Sequence, residues 1–372
     1  MMATAQTITI FLSGDLMTGR GIDQILPHPV NPRIWERWAK SALRYVELAE
    51  SANGPIPRPV DFSYIWGDAL AEFERLRPDL RIVNLETSIT RSENHFAKGI
   101  NYRMSPDNVA CLTAGGIDCC VLANNHVLDW GLEGLSETLQ TLEKVAVRAV
   151  GAGNDIAQAQ APGILDVGAK GRVVVLAFGS STSGIPLDWA ASESRGGVNL
   201  LPDLSGGTVR RIADQVGSIK EAADIVVASI HWGGNWGYEI PEEQIEFAHG
   251  LIDQAEVDVV YGHSSHHAKA VEVYSGKLVL YGCGDLLNDY EGIRGYEEFR
   301  DDLALLYFAR LDPANGRLSG LSISPLQISR FQLRRASKAD AEWLRGVLDR
   351  EGQRFGTRVE LADDDTLMLQ WG

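Results

Sequence analysis

Five of the eight histidines in the chain, His126, His231, His263, His266 and His267, stand just beyond runs of apolar residues, in short turns rich in Gly, Ser and Asn. Clustered imidazoles suit Zn, Fe or Mn, and neighbouring carboxylates shift the preference toward Mn or Fe over a thiolate-type zinc site. Carboxylates stand at equivalent places: Asp15 follows one apolar run in Ser13-Gly14-Asp15, and Glu86 closes another in Asn84-Leu85-Glu86. Asn124-Asn125-His126 follows a third run, His231 begins His-Trp-Gly after Ile230, and Gly262-His263-Ser264-Ser265-His266-His267 follows Tyr261. Singly, each has an ordinary structural reading. A turn Asp or Asn bonds its own backbone, a buried imidazole finds a partner, and an acid in an apolar run forms a salt bridge. Together they favour a metal centre, because ligands in open α/β sheets bind outside the carboxyl ends of the strands, where residues distant in sequence converge.

The elements that must position these residues are readable as β-branched apolar runs with helical periodicity between them. Candidate strands are Thr7–Ser13, Leu80–Glu86, Ile117–Ala123, Val173–Gly179, Asp224–Ile230, Val257–Tyr261 and Leu278–Gly282. Leu132, Leu135, Leu139 and Leu142 fall on one helical face, as do Ile245, Ala248, Ile252 and Ala255 after Pro241 and two glutamates suited to a helix start. This alternation predicts layered α/β packing. Ser337 and Asp340 form a capping pair before Trp343, Leu344, Val347 and Leu348, with Gly352 placed to end that helix. Residues 1–330 read as one domain, with 27–63 and 180–207 as candidate insertions bordering a site, and 331–372 as a C-terminal helical extension packed on it.

Composition bounds the function. The 372 residues are 45% hydrophobic and 23% charged, enough for an ordinary globular core. Acidic residues outnumber basic ones, 50 against 34, for a net charge of −16, which disfavours nonspecific binding to nucleic acid or anionic lipid. Cys111, Cys119, Cys120 and Cys283 show no CxxC spacing and read as small core residues. The first residues, MMATAQTITIFLSGD, carry neither a charged n-region nor a long apolar stretch, so the expectation is a cytoplasmic protein without a membrane anchor.

The segments FLSGDLMTGRGID, VNLETSIT, LANNHVLDWG, SIHWGGNWGYE and VVYGHSSHHAKAVEVYSGKLVLYGCGDLLNDYEG, spread over most of residues 8–291, carry a specific resemblance. As an ordered set they resemble the calcineurin-like metallophosphoesterase superfamily, in its CapA-type, poly-γ-glutamate capsule-synthesis branch. The resemblance implies a four-layer α/β/β/α sandwich with two mixed β-sheets and one or two divalent ions (Mn, Fe or Zn) at the strand ends. By motif, it makes Asp15 a metal ligand, gives Glu86 the bridging carboxylate position, and makes Asn125, His231, His263 and His266 further ligands. It leaves His126 for acid or transition-state work and puts Arg20 where the branch also has an arginine, able to steady an anionic oxygen. Met17 stands where the wider superfamily has a second histidine two residues after the aspartate, so one ligand is missing. Glu86 replaces an aspartate, and His263 and His266 are three apart where many relatives have two.

Such a centre points to a hydrolase in which metal-activated water attacks a phosphoester or a γ-glutamyl amide. The substrate is then a small molecule or an acidic polymer, with a synthetase or exporter as partner. His267 and Asp285 are candidates to orient ligating imidazoles. The rival reading is a non-catalytic metal-binding subunit of a polyanion synthesis or export machine, and retention of His126 beside Asn125 favours the enzyme.

Overall fold

The computed structural model describes residues 7–372. Its layers follow from where successive strand side chains go. In Arg172–Gly179, Val173, Val175 and Ala177 pack into the space between two sheets, while Val174, Leu176 and Phe178 face helices outside. In Ile8–Leu16, Ile10 and Leu12 point inward and Phe11 outward. Successive side chains of a strand alternate in face, and a strand covered on both sides is apolar throughout, which is why these runs read as continuous.

The first sheet has ten strands, eight of them in the order Thr357–Leu361, Leu367–Trp371, Leu318–Ser329, Leu303–Leu311, Ile8–Leu16, Leu80–Leu85, Cys119–Val121 and Arg148–Val150. Asp285–Leu287 pairs additionally with Ile8–Leu16, and Gln332–Arg335 with Leu318–Ser329. The second has six, in the order Val271–Tyr274, Lys277–Leu280, Val259–His263, Ile225–His231, Arg172–Gly179 and Gly163–Asp166. Both are mixed. Ile8–Leu16 runs parallel to Leu80–Leu85 and antiparallel to Leu303–Leu311, and Arg172–Gly179 is parallel to one neighbour and antiparallel to the other.

Helices Leu43–Asn53, Ala69–Leu76 and Gly131–Lys144 cover the outer face of the first sheet, and Gly206–Ile219 and Glu242–Ala255 that of the second. Three buried apolar clusters thus separate four layers, the expected α/β/β/α sandwich. All the expected strands are present, with ends shifted by a few residues. The face expected on Gly131–Lys144 is narrower than its sequence suggested: Leu135, Leu139 and Leu142 are buried, but Leu132, in the first turn, is 47% exposed. The four cysteines are buried and free.

The C-terminal helix, Lys338–Gly352, begins where expected, with Ser337 Oγ accepting from the Asp340 N–H at 3.2 Å. Beyond it, Thr357–Leu361 and Leu367–Trp371 add two strands to the edge of the first sheet, and Leu344 and Leu348 join the cluster between the sheets. Among the described residues, no helix is long and apolar enough to cross a membrane.

Candidate metal centre

Strand register does most of the placing. Ile225–His231 and Val259–His263 are parallel, with His231 directly opposite His263, so both imidazoles leave the second sheet at the same level. Their Nδ1 atoms lie 2.7 Å apart. Ser229 Oγ takes His263 Nε2 at 2.7 Å, which turns His263 Nδ1 toward Asp15 Oδ1, 3.9 Å away. The half-buried Asn125 brings its side-chain oxygen within 3.3 Å of His231 Nε2. Burial pushes His263 down to about 3, and burial with His263 holds His231 well below the ordinary histidine range, so both are neutral and able to donate to a metal.

The first sheet supplies the carboxylates. Asp15 and Asp285 are register partners on parallel strands. The strands approach so closely beside them that a Cβ on Gly14 would lie 1.5 Å from the Gly284 carbonyl oxygen, and Gly284 itself has φ +77°. Asp285 Oδ1 lies 2.8 Å from His266 Nδ1, and His266 Nε2 lies 3.0 Å from the Asn235 amide. Asn84 Nδ2 donates to Asp15 Oδ1 at 2.7 Å and to Glu86 Oε2 at 3.1 Å, fastening these two acids side by side. Burial, reinforced by Asp285, pushes Asp15 up to about 7; burial and then Asp15 hold Glu86 well above the usual carboxylate range. Burial opposes charge on His266, but Asp285 outweighs it and raises the imidazole above its ordinary value.

Two groups of side chains close enough to share an ion therefore meet at Asp15: Asp15 with His231 and His263, and Asp15 with His266 and Asp285. The carboxylate common to both is Asp15, while Glu86, given the bridging position by the resemblance, stands beside it. These residues fit divalent ions. Asp15 Oδ2 is buried without a hydrogen-bond partner, the imidazoles of the first group are neutral, and burial with mutual repulsion raises the crowded acids in a way that a cation would relieve.

A model of the family described as bacterial capsule synthesis protein PGA_cap matches residues 9–290, a span that includes every residue of both groups. The chain belongs to this capsule synthesis family. It is 47% identical over 370 residues to a "Probable polyglutamine synthesis accessory protein" of Mycobacterium tuberculosis, covering 99% of this chain and 97% of the relative. It is also 26% identical to the "PGA biosynthesis protein CapA" of Bacillus subtilis, over 85% of this chain and 70% of that protein. A solved structure from Mycoplasma pneumoniae, titled a novel phosphatase, aligns with a TM-score of 0.46 and 12% identity over 87% of this chain and 95% of its own, too distant to inform function.

Within the capsule family motifs, the structure gathers Asp15, Glu86, Asn125, His126, His231, His263 and His266 at one place. His126 Nε2 faces Glu86 Oε1 at 3.7 Å, and its Nδ1 meets Asp129 Oδ2 at 2.7 Å. Burial takes His126 down to about 4. Arg20 is close to the centre but not free. Its guanidinium is buried and engaged by Asp289, Glu36 and Tyr45, and it stacks over Tyr45 and Tyr102, so the group expected to grip an anionic oxygen is spent inside the protein. Tyr102 packs against His126, and Tyr290, hydrogen-bonded to Tyr102, lies edge-on to His266, so these rings stand beside both Arg20 and the centre. His267, expected to orient a ligand, bonds the Ala268 carbonyl through Nδ1 and stacks on Phe299.

Several supporting residues escaped the sequence reading. Asn84 and Asp129 lay inside the quoted motifs, two residues before Glu86 and three after His126. Lys98, which pairs with Asp129 Oδ1 at 2.7 Å and bonds the Asn125 carbonyl, comes from a loop with no periodic signal. In the segment Trp232–Glu239, Trp232 is buried, whereas Asn235 holds His266 and Trp236 lies 5.3 Å from it.

Proposed function

We propose that this chain is a metal-dependent hydrolase that acts on a γ-glutamyl amide bond of an acidic, capsule-type polymer. The observation that carries this reading is the pair of histidine–carboxylate groups meeting at the buried Asp15, with His126 beside them and outside both groups. Divalent ions bound there would activate water and polarise the carbonyl under attack. Asp15, Asn125, His231 and His263 would hold one ion, and Asp15 with His266 would contribute to the second.

The chain's own residues do the rest. Asp129 accepts from His126 Nδ1, which leaves Nε2 as the atom that exchanges a proton with the leaving amine. Lys98 neutralises Asp129 and holds the Asn125 backbone, fixing both neighbours at once. The amide is favoured over a phosphoester because Arg20 and Lys98, the two cations that act on His126, are already ion-paired, leaving neither free to grip phosphate. Relatives named for polyglutamine synthesis and PGA biosynthesis support the same substrate class and a partnership with a polymer synthetase.

The test is hydrolysis by Mn²⁺-loaded protein of a γ-glutamyl oligomer and a generic phosphodiester, followed by mass spectrometry, with His126→Ala alongside. Shortening of the oligomer, lost in the variant, is expected. Cleavage of the phosphodiester alone would move the reading to a phosphoesterase, and bound metal without turnover of either would replace it with a binding subunit.

A further inference from the structure

Met17 leaves the second ion a ligand short of the superfamily pattern, and the structure shows what stands in that space. Residues 15 and 17 are two apart along the chain, and Met17 directs its sulfur toward the Tyr290 hydroxyl, 3.5 Å away, on the side where Tyr290 lies edge-on to His266. Asp285 enters the same space from the adjoining strand, brought level with Asp15 by the Gly14–Gly284 contact. The side chain is fully buried, and Asn288 donates to its Oδ2 at 2.8 Å.

An orienting carboxylate sits behind an imidazole, on the nitrogen the metal does not use. Here the geometry differs. His266 Nε2 is taken by Asn235, so Nδ1 is the nitrogen left for an ion, and Nδ1 is the atom that Asp285 meets. Asp285 also lies within ligand distance of Asp15 and His266 together. We infer that Asp285 is itself a metal ligand, replacing the histidine absent at position 17, so that Asp15, His266 and Asp285 hold the second ion. This rests on the metal-centre reading above and adds a specific residue to it.

The experiment counts manganese per chain by elemental analysis after equilibration with excess Mn²⁺ and records the Mn²⁺ electron paramagnetic resonance spectrum. The wild type should hold about two ions with a spin-coupled signal. Asp285→Ala should hold about one, with the six-line signal of an isolated ion, and adding Met17→His should restore the second. Asp285→Val, which fills the side-chain space without a ligand atom, is read in parallel in case the alanine variant fails to fold, and should also lose the coupled signal. A residue that only orients His266 would weaken binding by roughly 10–100-fold yet leave the count intact at saturation. Two coupled ions in both Asp285 variants therefore overturn the inference, as does a double variant that stays at one ion. A single wild-type ion that survives both substitutions overturns it while leaving the metal-centre reading intact. Absence of any ion from the wild type overturns both.

Discussion

The two halves of the centre are built by different means. His231 and His263 cap neighbouring parallel strands in register, each imidazole fixed by a partner from its own sheet or an adjoining turn. His266 and Asp285 depend on a turn, on a loop that supplies Asn235, and on the close seam between Ile8–Leu16 and Asp285–Leu287. Their electrostatics diverge accordingly: burial drives the first pair of imidazoles below the ordinary range, whereas Asp285 lifts His266 above it. A sheet end makes a preformed pair of neutral imidazoles, while a seam of loops and acids makes a site that depends on its neighbours.

The strongest way to break this comparison is to remove what both halves share. Gly14→Ala would drive a methyl group into the Gly284 backbone, which has no flexible side chain to yield. Overpacking costs about 1–3 kcal/mol, and a clash with rigid backbone belongs at the upper end of that range. The expected outcome is a large fall in the urea midpoint and loss of bound metal from both groups, because Asp15 belongs to each. An ion that persists on His231 and His263 would show that the sheet-end half stands without Asp15.

Legibility in the sequence divides along the same line. Asp15, Glu86, Asn125, His231 and His263 each follow a run apolar enough to announce a strand, so their convergence was readable from the strand-end rule. Leu303–Leu311 and Leu318–Ser329, which pair with each other over most of their length, were not: Leu303–Leu311 joins the sheet through Ile8–Leu16, nearly three hundred residues away, and no local signal records that register. Ile8–Leu16 also outran its expected end at Ser13, since Gly14 lets pairing continue through Asp15 with Asp285. Arg20 was placed by motif, but its role turns on Glu36, Tyr45 and Asp289, which only the folded chain brings to it. Lys98 was invisible for the same reason, and Asn235, though inside a quoted motif, gave no sign of its contact with His266: loop paths are set by tertiary packing.

Removing His126 sharpens the comparison by probing a group that belongs to neither half. Loss of a positioned general acid or base costs roughly 10²–10⁴-fold in rate. His126→Ala should lower turnover of the γ-glutamyl oligomer by that amount while elemental analysis finds the wild-type metal content. Metal lost along with activity would make His126 a ligand and redraw the boundary between the halves.

Acid should separate the halves directly. Protons compete with metal for imidazole nitrogen. A histidine held above its ordinary value takes its proton at higher pH and releases its ion first; one pushed down to about 3, as His263 is, stays neutral and keeps its ion. Lowering the pH from about 7 to about 5 should therefore remove about one ion per chain, from the His266 side, as read by elemental analysis after gel filtration at each pH. Simultaneous release of both ions would mean that the shared Asp15 couples the halves more strongly than their separate surroundings divide them.

The smallest effect tests whether the loop-built half truly leans on its loop. Trp236 stacks on Tyr296 at 4.0 Å and 7° and lies 5.3 Å from His266, while its neighbour Asn235 bonds His266 through both its amide group and its backbone carbonyl. An aromatic pair is worth about 0.5–1.5 kcal/mol, which converts to a change of about tenfold at most in an equilibrium constant. Trp236→Ala should weaken the second ion by about five- to tenfold in a Mn²⁺ titration, leave the count at saturation unchanged, and leave the ion on His231 and His263 untouched. That selectivity is the point of the measurement, because the substitution alters neither strand register nor any ligand. If both ions weaken equally, the loop supports the whole cleft. If neither weakens, Asn235 is held by the backbone alone and the aromatic shelf faces the substrate.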